Sequence, residues 1–334
     1  MENTIVMNTQ VSLSRNINNY PFPHKLNQSE AMHIVNKVSR ILLTSPDLQQ
    51  EDFILKNMKD ITDIEKTTLI ERNIISNKFS KNDISSILIN KDKSKFILIN
   101  GDNHIEIKIY MNNLNLNEAF NIADQIDDIL GEKLDYSFNE NLGYLASCPV
   151  NVGTGLKASV TLHLPILSLQ KKIENYHNIG HKLGINIKGI CSERSNTLGN
   201  MYEITNQNII GRSEKNTLES LKSMIKEIIT KEIESREILK IEANIEVEDE
   251  VYRSLGILQN ARIISAQEVM KHLSNIKLGI EMDYINDINL DKVINLMNGM
   301  KPALRLMSAV TSSSDIERAS YIRNEFTLAN RNNK

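Results

Sequence analysis

A chain of 334 residues is long enough for two domains with their own cores, and 40% hydrophobic with 24% charged residues excludes wholesale disorder. A formal net charge of -3 gives no general attraction to nucleic acid or anionic membrane, so direct binding to either is not expected. No run approaches the roughly 18 to 20 apolar residues that span a bilayer, and Met1 to Ser14 lacks the apolar core of a signal peptide. A cytoplasmic protein is expected, in which the two cysteines, Cys148 and Cys191, are thiols rather than a disulfide framework.

Residues 1 to 16 read as extended and end in Leu13-Ser14-Arg15-Asn16, after which Tyr20-Pro21-Phe22-Pro23 must leave any helix or central strand. Asn27-Gln28-Ser29-Glu30 opens an amphipathic helix to about Leu43, with Ala31, Ile34, Val35, Val38, Ile41 and Leu42 at helical spacing. A second such segment covers 60 to 75. Residues 84 to 89, 95 to 99 and 106 to 110 read as strands, the last after the turn Asn100-Gly101-Asp102-Asn103-His104. A helix over 117 to 130 follows, with Ala119, Phe120, Ile122, Ala123, Ile126, Ile129 and Leu130 on its core face.

The chain is organised around residues 144 to 160. An extended apolar segment runs into a loop with one cysteine, one proline and two glycines, and a second segment, 158 to 164, alternates toward a core face. The glycines allow a close backbone approach to a ligand, Pro149 stiffens the turn, and Cys148 offers a thiol. A plain tight connection is the alternative. Further on, 167 to 183 reads as one helix, in which His177 and His181 share a face. Asn178-Ile179-Gly180 between them supplies no glutamate and no third ligand suggests itself, so a solvated face is expected and no metal site. Strands over 185 to 190 and 201 to 204 flank a polar loop from Cys191 to Thr197. A long helix from Ser213 to about 243 is followed by four or five helices, among them 251 to 261, 266 to 278, 290 to 300 and 315 to 328, the last behind a Thr311-Ser312-Ser313-Ser314 cap. This order predicts an α+β fold, a sheet covered by helices.

Cys148-Pro149-Val150-Asn151-Val152-Gly153-Thr154-Gly155-Leu156-Lys157-Ala158-Ser159 closely resembles the signature of the ATP:guanido phosphotransferases, and within them the bacterial protein-arginine kinases. The flanks agree: 135 to 140 and Gly143-Tyr144-Leu145 before the loop, Gly199-Asn200 and Ile204-Thr205-Asn206-Gln207 after it. The resemblance covers nearly the whole chain. It implies a phosphagen-kinase-like domain over 1–240, with a small helical lobe at about 17–76 and an antiparallel sheet flanked by helices at about 77–240. A C-terminal helical domain, 241–334, would bind phosphoarginine and dimerise.

The chemistry implied is transfer of the γ-phosphoryl group of ATP, with Mg2+, to arginine side chains. It asks for preorganised cations around the phosphates and for carboxylates that orient the guanidinium and accept its proton. The resemblance places Cys148 and Asp102 as catalytic residues, and Lys157, Ala158, Ser159, Val160, Thr161, Lys188, Gly189, Glu193 and Arg194 at the nucleotide. It places Asp315 and Arg318 in the phosphoarginine motif, whose leading arginine is here Ser314. The family's clamp arginines fall at Gln10, Ser12, Glu106, Lys157 and Lys188, its base-side histidine at Asn73, and its second catalytic glutamate at Asn196. Removing one transition-state donor often costs about 10² to 10³ in rate, so these losses predict a weak or inactive pseudokinase. The alternatives are an active kinase with a rearranged clamp of Lys157, Lys188 and Arg194 with Asp102 as base, and a binding protein that uses Cys148 as a thiol sensor. The partners implied by the family are arginine-containing substrates, a stress-gene repressor, a zinc-binding activator, a Clp ATPase and protease, and a second copy in a homodimer.

Overall fold

A computed structural model describes residues 2–148, 151–191, 197–207, 211–242, 245–299 and 314–329. After a short helix α1 (Glu2–Ile5), strand β1 (Val6–Arg15) leads to helix α2 (Gln28–Thr44), strand β2 (Ile54–Asn57) and helices α3 (Asp63–Glu71) and α4 (Asn77–Ser80). Strands β3 (Ser86–Ile89), β4 (Lys95–Ile99) and β5 (Ile105–Met111) precede helix α5 (Leu116–Gly131), the small ribbon β6 (Phe138–Asn139) and β7 (Gly143–Tyr144), and strand β8 (Leu156–His163). Helices α6 (Pro165–Leu169) and α7 (Ile173–Leu183), strands β9 (Ile185–Cys191) and β10 (Thr197–Asn206), and helix α8 (Glu214–Ile241) complete this part. The C-terminal part holds α9 (Ile245–Asn260), α10 (Ala266–Glu281), α11 (Leu290–Gly299) and α12 (Ser314–Ala329).

Eight strands form one antiparallel sheet in the order β2-β3-β4-β5-β1-β8-β10-β9. The opening segment is thus a central strand: Val11 faces Ile109 on one side and Ala158 on the other. Side chains alternate across a sheet. Val11, Leu13, Ile107, Ile109, Ala158, Val160, Leu162 and Ile204 enter the main core beneath α2, α5 and α8. The opposite face is divided into three. At one end Ile87, Phe96 and Leu98 pack under α3 and α4. At the other, Met7 and Met201 join the core of the C-terminal helices. Between them the sheet is open, and there the polar side chains lie.

Local signals account for most boundaries. Asn27 and Glu30 close a reciprocal capping box on α2, and Thr62, Ser213 and Ser265 cap α3, α8 and α10 by accepting from the backbone N–H three residues on. Two readings of the sequence need correction. Strand β2, which forms an edge of the sheet, lies between the two helices expected in the small helical lobe, where the sequence suggests no strand. The single helix expected over 167 to 183 is two, because Lys171 adopts a left-handed φ of 54° between α6 and α7. The cap at 311–313 lies outside the described residues.

The C-terminal helices join the sheet domain through buried charge. Glu232 of α8 accepts from the N–H groups of Ile166 and Leu167 at the start of α6, and from Arg236 at 2.8 Å. Arg236 also donates to Glu281 of α10 at 2.8 Å, and Lys277 donates to Glu281 and to the Thr4 carbonyl, both at 2.6 Å. Nearby, His163 of β8 meets the Ser274 hydroxyl at 2.8 Å. All four charged side chains are 3% exposed or less, so each depends on the others for its solvation. Glu281→Ala leaves buried Lys277 with no carboxylate partner and removes one of the two that Arg236 has, and an equilibrium unfolding titration is expected to show a loss of about 3 to 5 kcal/mol.

Two histidines are held neutral by burial. His104 accepts from the Ile17 N–H through Nδ1 and donates through Nε2 to the Pro21 carbonyl, and burial lowers its pKa. His163, fully buried beside Lys277 and Arg236, is pushed well below the ordinary 6.5 by burial first and by those cations second. Because the unfolded chain takes up these protons at higher pH than the native one, the stabilisation is complete above pH 6.5 and is lost as pH falls below it. Urea unfolding at pH 7.5 and 5.5 should show the loss, at most about 1.4 kcal/mol per pH unit for each histidine. His104→Asn should reduce that slope.

Candidate active site

The open part of the sheet is a cleft of about 350 Å³, walled by the 73–79 segment and floored by β1, β5, β8 and β10. Among the described residues its charged side chains are Lys78, Asp102, Glu106, Lys108, Lys157 and Glu203, three cations and three carboxylates. Four of the six are paired within the cleft. Lys78 holds Asp102 at 2.7 Å, an exposed pair that raises the lysine pKa through the hydrogen bond and the charge. Lys108 holds Glu106 at 3.3 Å and donates to the Ile74 carbonyl at 2.8 Å. Gln10 donates to the Arg72 carbonyl at 3.1 Å, which ties the wall to the floor.

The register explains which residues reach the cleft. Ser12 lies between Lys108 and Lys157, and Gln10 between Tyr110 and Ser159. Of the five consecutive residues expected at a nucleotide, Lys157 and Ser159 line the cleft. Thr161 is buried on the same face and donates to the Asn8 side chain at 3.2 Å. Ala158 and Val160 point into the main core, fully buried, so their side chains do not serve the cleft. Lys188, exposed on β9, sits beside Glu203, and its neighbour Gly189 lies opposite Tyr202; neither lines the cleft. Glu193, Arg194 and Asn196 lie outside the described residues. Sequence reasoning missed Lys78, Lys108 and Glu203, although the alternation of Ile105-Glu106-Ile107-Lys108-Ile109 carried the signal for Lys108.

The cysteine loop is built by Arg15. Its Nε and Nη2 donate to Asp127 at 2.9 and 2.6 Å, and its Nη1 donates to the carbonyls of Ser14 and Thr154. The guanidinium lies 3.6 Å from the centre of the Tyr144 ring, a cation–π contact. Gly155, at φ 68°, is where a Cβ would fall 2.6 Å from Arg15 Nη1 and 2.5 Å from the Ser14 carbonyl. That glycine therefore serves the approach of Arg15, not of a ligand. Next to it Asn16 donates to Asn103 and to the Leu145 carbonyl and accepts from the His104 N–H, joining the 100–104 turn to the loop. Cys148 itself is exposed and is not among the residues that line the cleft.

In the C-terminal part, Arg318 is buried and donates to its neighbour Asp315 and to the Ile264 carbonyl at 2.9 Å. Its Nε has no partner among the described residues. His177 and His181 are exposed on α7, and no group of three His, Cys, Asp or Glu gathers among the described residues. Nor is any helix among them long and apolar enough to cross a membrane.

Arg15→Lys keeps the charge and loses the fork that grips Asp127 and Thr154 together. The variant is expected to alkylate faster at Cys148 with iodoacetamide and to exchange amide hydrogens faster across 144 to 155, while Lys157→Ala leaves both rates at the parent value.

Two family descriptions cover the chain. The ATP:guanido phosphotransferase C-terminal catalytic domain matches residues 33–235, and the protein-arginine kinase McsB C-terminal domain matches 244–334. Among curated relatives, a protein-arginine kinase of Clostridium kluyveri is 37% identical over 329 residues, covering 97% of this chain and 95% of its own. One from Clostridium acetobutylicum is 36% identical, with 96% of each chain covered. Among solved structures, lombricine kinase aligns with a TM-score of 0.59 at 24% identity, over 68% of this chain and 66% of that one. The duplicated taurocyamine kinase of Schistosoma mansoni aligns with 0.61 at 22% identity, over 69% of this chain and 33% of its own. These two show a shared fold. With full-length relatives above 30% identity and both halves matched, this chain belongs to the protein-arginine kinase family.

Proposed function

We propose that this chain is a regulatory pseudokinase of its family, with phosphoryl transfer to arginine weak or lost. What supports the reading is the charge of the cleft. A magnesium triphosphate needs a surplus of cations, and here Asp102, Glu106 and Glu203 balance Lys78, Lys108 and Lys157. Two of the three lysines already answer a carboxylate. Two unit charges 4 Å apart interact by about 4 kcal/mol at an effective dielectric of 20, so a carboxylate at a clamp position opposes phosphate about as strongly as an arginine would attract it. The described residues of the cleft supply no surplus of cations for a triphosphate, and Asp102, salt-bridged and exposed, is poorly placed to take a proton from a guanidinium.

The family words that persist also fit this reading. Arg15, Asn16, Asn100 and His104 are all buried and bonded to the backbone or to one another. Their retention preserves the fold without requiring transfer. A chain of this kind acts through its partners, and the partners proposed are those of the family: a zinc-binding activator, a Clp ATPase, a stress-gene repressor and a second copy of the chain.

The second reading, an active kinase with a substitute clamp, draws on Lys157, which lines the cleft and has no ion pair there among the described residues. One assay separates the two: purified protein with Mg-ATP and an unstructured arginine-rich protein, read by mass spectrometry for acid-labile phosphate, with Cys148→Ala alongside. The expected result is no transfer from folded protein while an active family kinase phosphorylates the same substrate. Transfer that Cys148→Ala abolishes would overturn the proposal.

A further inference from the structure

A second cavity, of about 550 Å³, lies on the far side of α3 from the cleft, between that helix and the β2-β3-β4 end of the sheet. Its walls are apolar: Ile61 and Leu69 from the helical side, Ile89 and Phe96 from the sheet. The rim is charged. Two lysines there are already matched, Lys56 with Glu65 at 3.0 Å and Lys91 with Asp52 at 3.8 Å. That leaves Arg72 and Lys93, neither with a carboxylate partner among the described residues.

Arg72 is held ready for a ligand. Its guanidinium sits 5.1 Å from the centre of the Tyr110 ring and 5.9 Å from that of Phe96, and among the described residues its side chain donates a long hydrogen bond, 3.4 Å, to the Lys93 carbonyl. A guanidinium has five N–H donors in a fixed fork. The two rings hold this one in place, and most of its donors have no protein acceptor among the described residues. Lys93 stands beside it on an exposed turn, with φ 53°.

We infer that this cavity binds an amphiphilic anion, a small molecule with an apolar body and one carboxylate, sulfonate or phosphate head, the body against Ile54, Ile61, Leu69 and Ile89 and the head on Arg72 and Lys93. The volume is within the range of small-molecule sites, which are mostly apolar with a few converging polar groups. Charge complementarity selects the sign of the head, since both carboxylates at the rim are answered by lysines and both unmatched groups are cations. The site does not rest on the reading of the cleft. The two compartments share a wall, because Arg72 lines one and Asn73 and Ile74 line the other.

The test is a fluorescence titration of the full chain with 8-anilinonaphthalene-1-sulfonate, with the bound region located by hydrogen exchange. Saturable binding at one site is expected, with slowed exchange across 61 to 72 and 89 to 96. Decanoate should displace the dye, whereas decyltrimethylammonium and inorganic phosphate at equal concentration should not. Arg72→Leu should weaken binding about tenfold, the loss of one charge-assisted contact. Lys93→Asn should weaken it severalfold and keeps the test sound if Arg72→Leu misfolds, because asparagine accepts a left-handed φ at this exposed turn. Equal displacement by the cationic amphiphile, unchanged affinity in the folded variants, or protection confined to β2 or to the cleft would each overturn the inference. Protection of β2 alone would indicate strand addition at the sheet edge instead.

Discussion

The working side of this molecule depends on the buried pair of Arg15 and Asp127. Arg15 ends the central strand, Asp127 sits on the helix beneath it, and the remaining donor of the guanidinium reaches out to the Thr154 carbonyl under the Tyr144 ring. Burying such a pair is costly unless every polar group is served. Burial pushes the Asp127 carboxyl up, the guanidinium pulls it back, and one carboxylate oxygen has no hydrogen-bond partner among the described residues. The cost is offset by what the pair positions: strand, helix, cysteine loop and, through Asn16, the 100–104 turn all meet at one point. A family signature can survive here for packing alone.

Alternation across the sheet separates architecture from chemistry. One face of β1, β5, β8 and β10 is apolar and fixed by the helices packed on it. The other carries Gln10, Ser12, Glu106, Lys108, Lys157, Ser159 and Glu203, whose side chains can change without disturbing that core. Changes on that face can therefore alter the chemistry of the cleft and leave the fold intact. Glu106 is answered by Lys108, two residues along the same strand.

The C-terminal helices are held on the sheet domain by an ionic cluster rather than by apolar contact alone. Glu232, Arg236, Glu281 and Lys277 alternate in sign, and backbone groups of Ile166, Leu167 and Thr4 take up further hydrogen-bonding capacity. Such a network fixes one docking geometry, since any shift would strand a buried charge, although Arg236 Nη2 has no hydrogen-bond partner among the described residues. The same economy governs Arg318, which serves the Ile264 carbonyl and Asp315 from inside the core.

Much of this was legible in the chain itself. Capping residues, apolar periodicity and the wording around Cys148 determined the helices, most strands and the family, because these signals are local. The edge strand β2 was not legible: it is short, and pairing with β3 decides it. Nor was it legible that Ala158 and Val160 turn away from the cleft while Ser159 faces it, that Gly155 makes room for Arg15, or that Lys78, Lys108 and Glu203 complete the cleft. Those facts depend on register and on contacts between residues far apart in sequence. The sequence by itself determined which charges this protein carries; only the tertiary structure decided which of them face one another, because pairing across a sheet is set by the partner strand.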